Sequence, residues 1–169
     1  NASSAQMGSM IDARPMMRAL MADLAEWLRH GTPPPASRHA RLADASLVRQ
    51  DQVKFPEVPG VRWPYTVPGG FRSDLPGTLS KHPLPFFVPQ VDADGNEIGG
   101  VRLPDVAVPL ATHTGWSFRS EGAGVPDSLL FLTGSYIPFA RTRVEREQRR
   151  DPRLSVEERY ASRADYLRR

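Results

Sequence analysis

The sequence lacks cysteine and any long apolar run. The absence of cysteine among its 169 residues excludes disulfides, thiolate nucleophiles and cysteine-ligated zinc or iron–sulfur sites. The uninterrupted apolar stretches are short, whereas a membrane helix needs roughly 18 apolar residues or more. No charged-then-apolar start marks a signal peptide, and we expect no membrane association. Both a cytoplasmic and a periplasmic or secreted location stay open, because exported proteins can also lack cysteine.

Complete catalytic and cofactor motifs are also missing. The nearest match to the G-x-S-x-G nucleophile elbow is GWSFR (115–119), in which Arg119 stands where the second glycine belongs. All four histidines precede Ser117, whereas the general base of that fold follows the serine. There is no H-E-x-x-H, no Walker sequence and no complete dinucleotide fingerprint. We therefore expect no catalytic residue, no metal and no cofactor within this chain.

Proline is abundant, and it constrains the middle of the chain. Of the 17 prolines, 13 lie between Pro33 and Pro109, which excludes a helical bundle or an ordinary continuous sheet there. Residues 32–90 are predicted to be an extended ribbon that lies against a larger surface. The side chains expected to dock are those of Phe55, Val61, Trp63, Tyr65 and Phe71.

One long amphipathic helix is predicted from about Ala13 to His30. Asp12 is a suitable N-cap, Pro15 falls in the first turn, and Gly31 ends the helix before a run of prolines. Apolar residues recur at three- and four-residue spacing and form one face. They are Met17, Leu20, Met21, Leu24, Trp27 and Leu28.

A hairpin is predicted near residues 86–103. The apolar segments 86–91 and 98–103 flank DADGNE, in which Asp94 and Gly95 would take the positive φ angles of a tight turn. A calcium loop is the rival interpretation. It is disfavoured because the glycine and the glutamate do not stand at loop positions 6 and 12 when Asp92 is position 1.

The C-terminal third is predicted to contain a strand followed by short helices. Residues 106–111 have a strand-like pattern, and a polar helix is expected over 142–150. Ser155 to Glu158 form a capping box, and Ser162 is a further N-cap.

The C-terminal end is also basic. Residues 138–169 hold 10 Lys and Arg against 6 Asp and Glu, whereas residues 1–137 hold 12 against 13. Glu145 and Glu147 interrupt the arginines, and no aromatic platform accompanies them. The pattern therefore favours a solvated helix face over a nucleic-acid surface.

The segment THTGW (112–116) is the best candidate for the edge of a site. On a strand, Thr112 and Thr114 would share one face and His113 would take the other. We consider His113, Thr114, Trp116 and Ser117 as residues that line a substrate site. A purely structural or exposed His113 remains the alternative, as does a turn-capping Ser117.

Four blocks, taken in order, resemble the C-terminal portion of a group of large bacterial proteins with an alpha/beta hydrolase domain. The likeness covers nearly all of residues 12–167. The blocks are ARPMMRALMADLAEWLRHGTPPPASRHARLAD, VPQVDADGNEIGGVRLPDVAVPLATHTGW, LTGSYIPFARTRVER and DPRLSVEERYASRADYL. In that group a tyrosine commonly stands at the position of His113, which argues against a catalytic role for this residue.

The resemblance implies an α/β fold class, with this chain as the C-terminal part of an α/β-hydrolase-like fold. Its parts would be a long amphipathic helix, a proline-rich ribbon, a hairpin and short C-terminal helices. Residues 1–11 would be a loop remnant or an expression scar, 12–31 a helix covering the sheet, and 32–169 a proline-rich extension with its hairpin near 86–103 and its helices near 142–169.

The resemblance also implies a function. The nucleophile, acid and histidine would lie upstream of the helix, so this chain would complete the fold of an esterase-like hydrolase and roof its active site. Its partners would be the upstream hydrolase body and a small ester-like substrate, with no nucleic acid and no membrane. The alternative is a non-enzymatic binding or scaffold module that uses exposed aromatic residues and the basic tail.

Overall fold

The computed structural model describes residues 3–65 and 86–169, and the prediction that Phe71 docks lies outside these ranges. Five short strands and five helices occur in the described residues, with 3-10 turns at Gln50–Gln52 and Glu121–Ala123. The strands are β1 (Met7–Gly8), β2 (Leu47–Arg49), β3 (Phe87–Pro89), β4 (Ala111–Thr114) and β5 (Ser135–Pro138). The helices are α1 (Arg14–His30), α2 (Pro104–Ala107), α3 (Arg143–Arg149), α4 (Val156–Arg159) and α5 (Arg163–Arg168).

The central sheet is antiparallel and has the strand order β1-β5-β4. Its first strand lies within residues 1–11, where Met7 pairs with Tyr136, and the origin of that segment as a loop remnant or a scar stays a prediction. Just before β5, Gly134 permits a close approach. A Cβ added at Gly134 would lie 2.2 Å from the carbonyl oxygen of Thr114.

The predicted hairpin forms only around its turn. Gly95 N–H donates to the Asp92 carbonyl at 2.9 Å, and Ile98 N–H donates to the Gln90 carbonyl at 3.0 Å. Gly95 alone takes a positive φ (78°) in this turn, so the predicted pair of positive angles at Asp94 and Gly95 is wrong. Beyond the turn the segments separate, and β3 pairs instead with β2, a partner about 40 residues earlier in the chain.

Helix α1 begins and ends as its local signals indicate. Gly31 adopts φ 70° and caps the last turn, and Pro15 lies in the first turn. The N-cap position falls on Ala13 rather than Asp12, although the Asp12 carboxylate accepts a hydrogen bond from Arg14 N–H at 3.0 Å. Among the described residues, no helix combines the length and the apolar character that crossing a bilayer requires.

The apolar face of α1 is bare. Its six large apolar side chains are between 42% and 78% exposed, and no residue of the helix is buried. The periodicity therefore predicted the helix and its face correctly, but the described residues do not cover that face.

The C-terminal caps confirm the local predictions, whereas the strand prediction before them is wrong. Thr142, Ser155 and Ser162 each accept a hydrogen bond from the backbone N–H three residues later. Residues 106–111 do not form a strand, because Pro104 occupies the first turn of α2 and the strand β4 starts only at Ala111.

The core is small and is linked to the C-terminal helices through a buried arginine. Arg153 is 3% exposed, and its guanidinium donates to Thr112 Oγ1 at 2.7 Å and to the Ile137 carbonyl at 3.0 Å. The same guanidinium binds Asp151 at 2.6 Å. Burial alone would raise the pKa of the Asp151 carboxyl, but the hydrogen bonds from Arg153 outweigh it and lower that pKa.

Candidate functional site

A cavity of about 230 Å³ lies where the ribbon, β3, the acidic turn (residues 92–97) and the end of β4 meet. Three of the predicted site residues, His113, Thr114 and Trp116, line it together with Gly115. A second cavity of about 220 Å³ shares His113, Thr114 and Gly115 with the first, so these residues lie between the two. The sequence therefore located one side of the cavity.

One wall of the cavity is aromatic. The ring centroids of Phe55 and Trp63 are 5.2 Å apart, and each lies 5.7 Å from that of Trp116. Such spacings are those of directly packed rings. Phe55 and Trp63, two of the residues predicted to dock, thus pack against Trp116 of this chain, whereas Tyr65 is 73% exposed.

His113 lies at the border of both cavities and is half-buried. Its ring meets that of Tyr136 edge to face at 5.3 Å, and its Nδ1 lies 3.5 Å from Ser9 Oγ. Loss of hydration lowers the pKa of the imidazole below its usual 6.5, and the Asp105 carboxylate only partly opposes this effect. A neutral imidazole is therefore favoured at this position.

Glu97 is the second titratable group on the cavity walls, and the sequence analysis treated it only as part of a turn. It is an exposed residue that lines both cavities. Among the described residues, no hydrogen bond or ion pair engages its carboxylate. Partial loss of hydration raises the pKa of this carboxyl above its usual 4.5.

Asn96 holds the acidic turn against β4. It is fully buried, and its side-chain amide bonds two main-chain groups of that strand. Nδ2 donates to the Ala111 carbonyl at 3.1 Å, and Oδ1 accepts from His113 N–H at 2.8 Å. These two bonds replace main-chain hydrogen bonds that a neighbouring strand would make to β4. They also hold Glu97, the next residue, beside His113.

The acidic turn is also held by two arginines. Arg159 donates to both carboxylate oxygens of Asp94, and Arg102 donates to Asp92 at 2.8 Å. These carboxylates are thus engaged by guanidinium groups. In the part of the chain that the structure describes, no cluster of three or more His, Asp or Glu side chains is placed to hold a metal ion.

Neither Thr114 nor Ser117 is placed as an exposed nucleophile would be. Thr114 Oγ1 donates to the Trp116 carbonyl and accepts from Ser135 N–H, which fixes the turn that carries Trp116. Ser117 is fully buried, does not line the cavity, and places its Oγ 2.6 Å from that of Ser4. Of the four predicted lining residues, Ser117 is therefore the one that the structure places elsewhere.

Comparison with protein families identifies the chain's relatives. The family model described as alpha/beta hydrolase domain matches residues 2–169. This chain belongs to the alpha/beta hydrolase domain family. No curated protein and no solved structure matches it. The resemblance seen in the sequence is thus confirmed at the level of the family. In the described residues, the fold consists of helices and antiparallel sheets.

Proposed function

We propose that this chain is a non-catalytic part of an esterase-like α/β-hydrolase, in which it completes the fold and roofs the active site. The partner is a catalytic body, which is either further sequence of the same protein or a companion chain. His113, Thr114 and Trp116 face a small ester-like substrate, and the nucleophile, the acid and the general base come from the body.

The observation that carries this proposal is the bare apolar face of α1. A contiguous exposed apolar patch marks an interaction site, and burying apolar surface stabilises by about 25 cal/mol per Å². In α/β proteins such helices cover a mostly parallel sheet, whereas the sheets of the described residues are antiparallel. A sheet other than those of the described residues is thus the surface that α1 would cover.

The residues that line the cavity support separate roles for this chain and the catalytic body. Its described lining residues include a histidine and a glutamate but no serine, and the nearby Ser117 is buried against Ser4. The backbone after Ser117 is extended rather than helical, unlike a nucleophile elbow, where a helix follows the serine. The chain supplies the substrate-facing surface, and the body supplies the attack on the ester.

A non-enzymatic binding module is the second candidate. It is favoured by Phe131 and Leu132, which are 85% and 89% exposed and would contact another protein. For this candidate, α1 would be shielded within the isolated chain or its oligomer, and no ester would be hydrolysed by any longer form of the protein.

Turnover of p-nitrophenyl acetate tests the proposal. We expect none from the 169-residue chain and measurable turnover from a longer protein in which it is joined to its catalytic body. In the longer protein, Leu24→Gln on the apolar face should lower activity, whereas Ala22→Gln on the opposite side of α1 should not. Both variants should leave the free energy of unfolding of the isolated chain within about 0.5 kcal/mol of wild type, because both sites are exposed.

Two results would contradict the proposal. One is ester turnover by the isolated chain that Ser117→Ala abolishes. The other is protection of Trp27 from acrylamide in the isolated chain, since this side chain is 51% exposed and should become shielded only in the longer protein.

A further inference from the structure

The aromatic-walled cavity has the size of a small-molecule site. Its volume is about 230 Å³, whereas a cavity of about 150 Å³ lined by apolar side chains accepts benzene. The cavity therefore has room for one aromatic ring with a short substituent.

The wall excludes a cation cage. In an aromatic cage the rings surround an open space that holds the cation. Here the centroids of Phe55, Trp63 and Trp116 are 5.2 to 5.7 Å apart, so the rings touch each other and leave no space between them. They form a single apolar surface against which a flat or branched apolar group can pack.

The polar groups at the cavity do not favour an anion either. Among its described lining residues there is no lysine or arginine. The nearby Arg102 and Arg159 already bind Asp92 and Asp94. Loss of hydration raises the pKa of the Glu97 carboxyl and lowers the pKa of the His113 imidazole. Both shifts disfavour the charged form of the group.

Gly115 lies on the wall of the cavity with open space beside it. It lines both cavities, and a Cβ added to it would meet no atom within 4 Å. A larger side chain here would project into free space rather than strain the backbone, since φ lies outside the left-handed range. This position is the natural place to obstruct entry.

We infer that this cavity binds an uncharged apolar group of about the size of one aromatic ring, which enters past Gly115. We identify this group with the acyl or alcohol part of the ester substrate, and that identification rests on the proposed function. The binding itself is a property of the 169-residue chain.

The test measures the binding of three single-ring probes to the full chain at neutral pH. Binding is monitored through the NMR signals of the tryptophan indole N–H groups. The probes are methyl benzoate, benzoate and benzylammonium, which carry zero, negative and positive charge. Of the three tryptophans, Trp63 and Trp116 line the cavity, and Trp27 on α1 is the internal reference. Methyl benzoate should shift the first two signals saturably, and both charged probes should bind about tenfold more weakly or worse because charge must be desolvated.

A matched pair of glycine variants tests the entry. Gly115→Leu should weaken methyl benzoate binding by about tenfold or more by filling the opening. Gly122→Leu should leave binding unchanged, because Gly122 is equally open and does not line this cavity. Circular dichroism of both variants establishes that they are folded, and the three-probe comparison needs no variant.

The inference is overturned if either charged probe binds as tightly as the ester, if Trp27 shifts in parallel with the other two, or if a folded Gly115→Leu chain binds like wild type. These results are separate from the proposed function. A longer protein that hydrolyses no ester would remove the enzymatic role and leave the binding result standing.

Discussion

The guanidinium of Arg159 holds the carboxylate of Asp94 through both oxygens, across 65 residues of sequence. The pair is largely buried, at 13% and 16% side-chain exposure, and the Arg159 guanidinium also lies 4.2 Å from the centroid of the Phe139 ring. Through this pair, helix α4 fixes the acidic turn and with it the position of Glu97. The cavity thus depends on a contact at the far end of the chain.

Asp94→Asn should destabilise the chain by about 2 kcal/mol, because hydrogen bonds to charged groups contribute more than neutral ones. The matched control is Asp127→Asn, since Asp127 also pairs with an arginine but is 85% exposed. The control should cost about 0.5 kcal/mol or less. Urea unfolding of the three chains measures the difference. Equal losses for the two variants would show that Arg159 does not anchor the turn.

Gly95→Ala should destabilise the chain by about 2 kcal/mol, because a non-glycine residue in the left-handed region is strained. Gly95 has φ +78°, and an added Cβ would lie 3.0 Å from both Phe55 and Thr112. Gly122→Ala, with an ordinary φ and open space, is the control and should be nearly neutral. Thermal melting of both variants is sufficient, and a neutral Gly95→Ala would contradict the described turn.

Glu158 should make stability depend on pH in the acid range. Hydrogen bonds from Ser155, with help from Arg146, lower the pKa of its carboxyl from 4.5 to about 2. Because the folded pKa lies below the unfolded one, this stabilisation is complete above about pH 4.5 and is lost as the pH falls through about 2.

The measurement is the melting temperature of wild type and Glu158→Gln from pH 6 to pH 2. The gap between the two curves should be widest near pH 6 and should close on acidification. Glu57→Gln, at an exposed position of the ribbon, should follow the wild-type curve throughout. A gap that stays constant with pH would show that the Ser155 and Arg146 contacts do not stabilise the charged carboxylate.

Local signals in this sequence predicted local structure well. Pro15 and Gly31 delimit α1, and Ser155 with Glu158 delimits the start of α4, because a cap forms between residues that are neighbours in the chain. The strand pairings could not be read in this way. Gly8 pairs with Ser135, and nothing near Gly8 in sequence indicates a partner so far away.

The candidate site was predicted in part for the same reason. His113 and Trp116 stood out because they follow an alternating segment and flank a glycine. Asn96 and Glu97 instead belong to a run of turn residues, and a tight turn accounts for the whole of that run. Their second role arises only when the turn folds against β4, a contact that depends on tertiary structure.

The amide of Asn96 has a consequence for anyone who recombines this protein with its relatives. Since β4 contributes only main-chain groups to these bonds, the bonds survive a change of its side chains, whereas a loop without this asparagine would leave those groups unpaired. A chimera can therefore take β4 from either parent, but an imported loop must carry an asparagine at the position of Asn96.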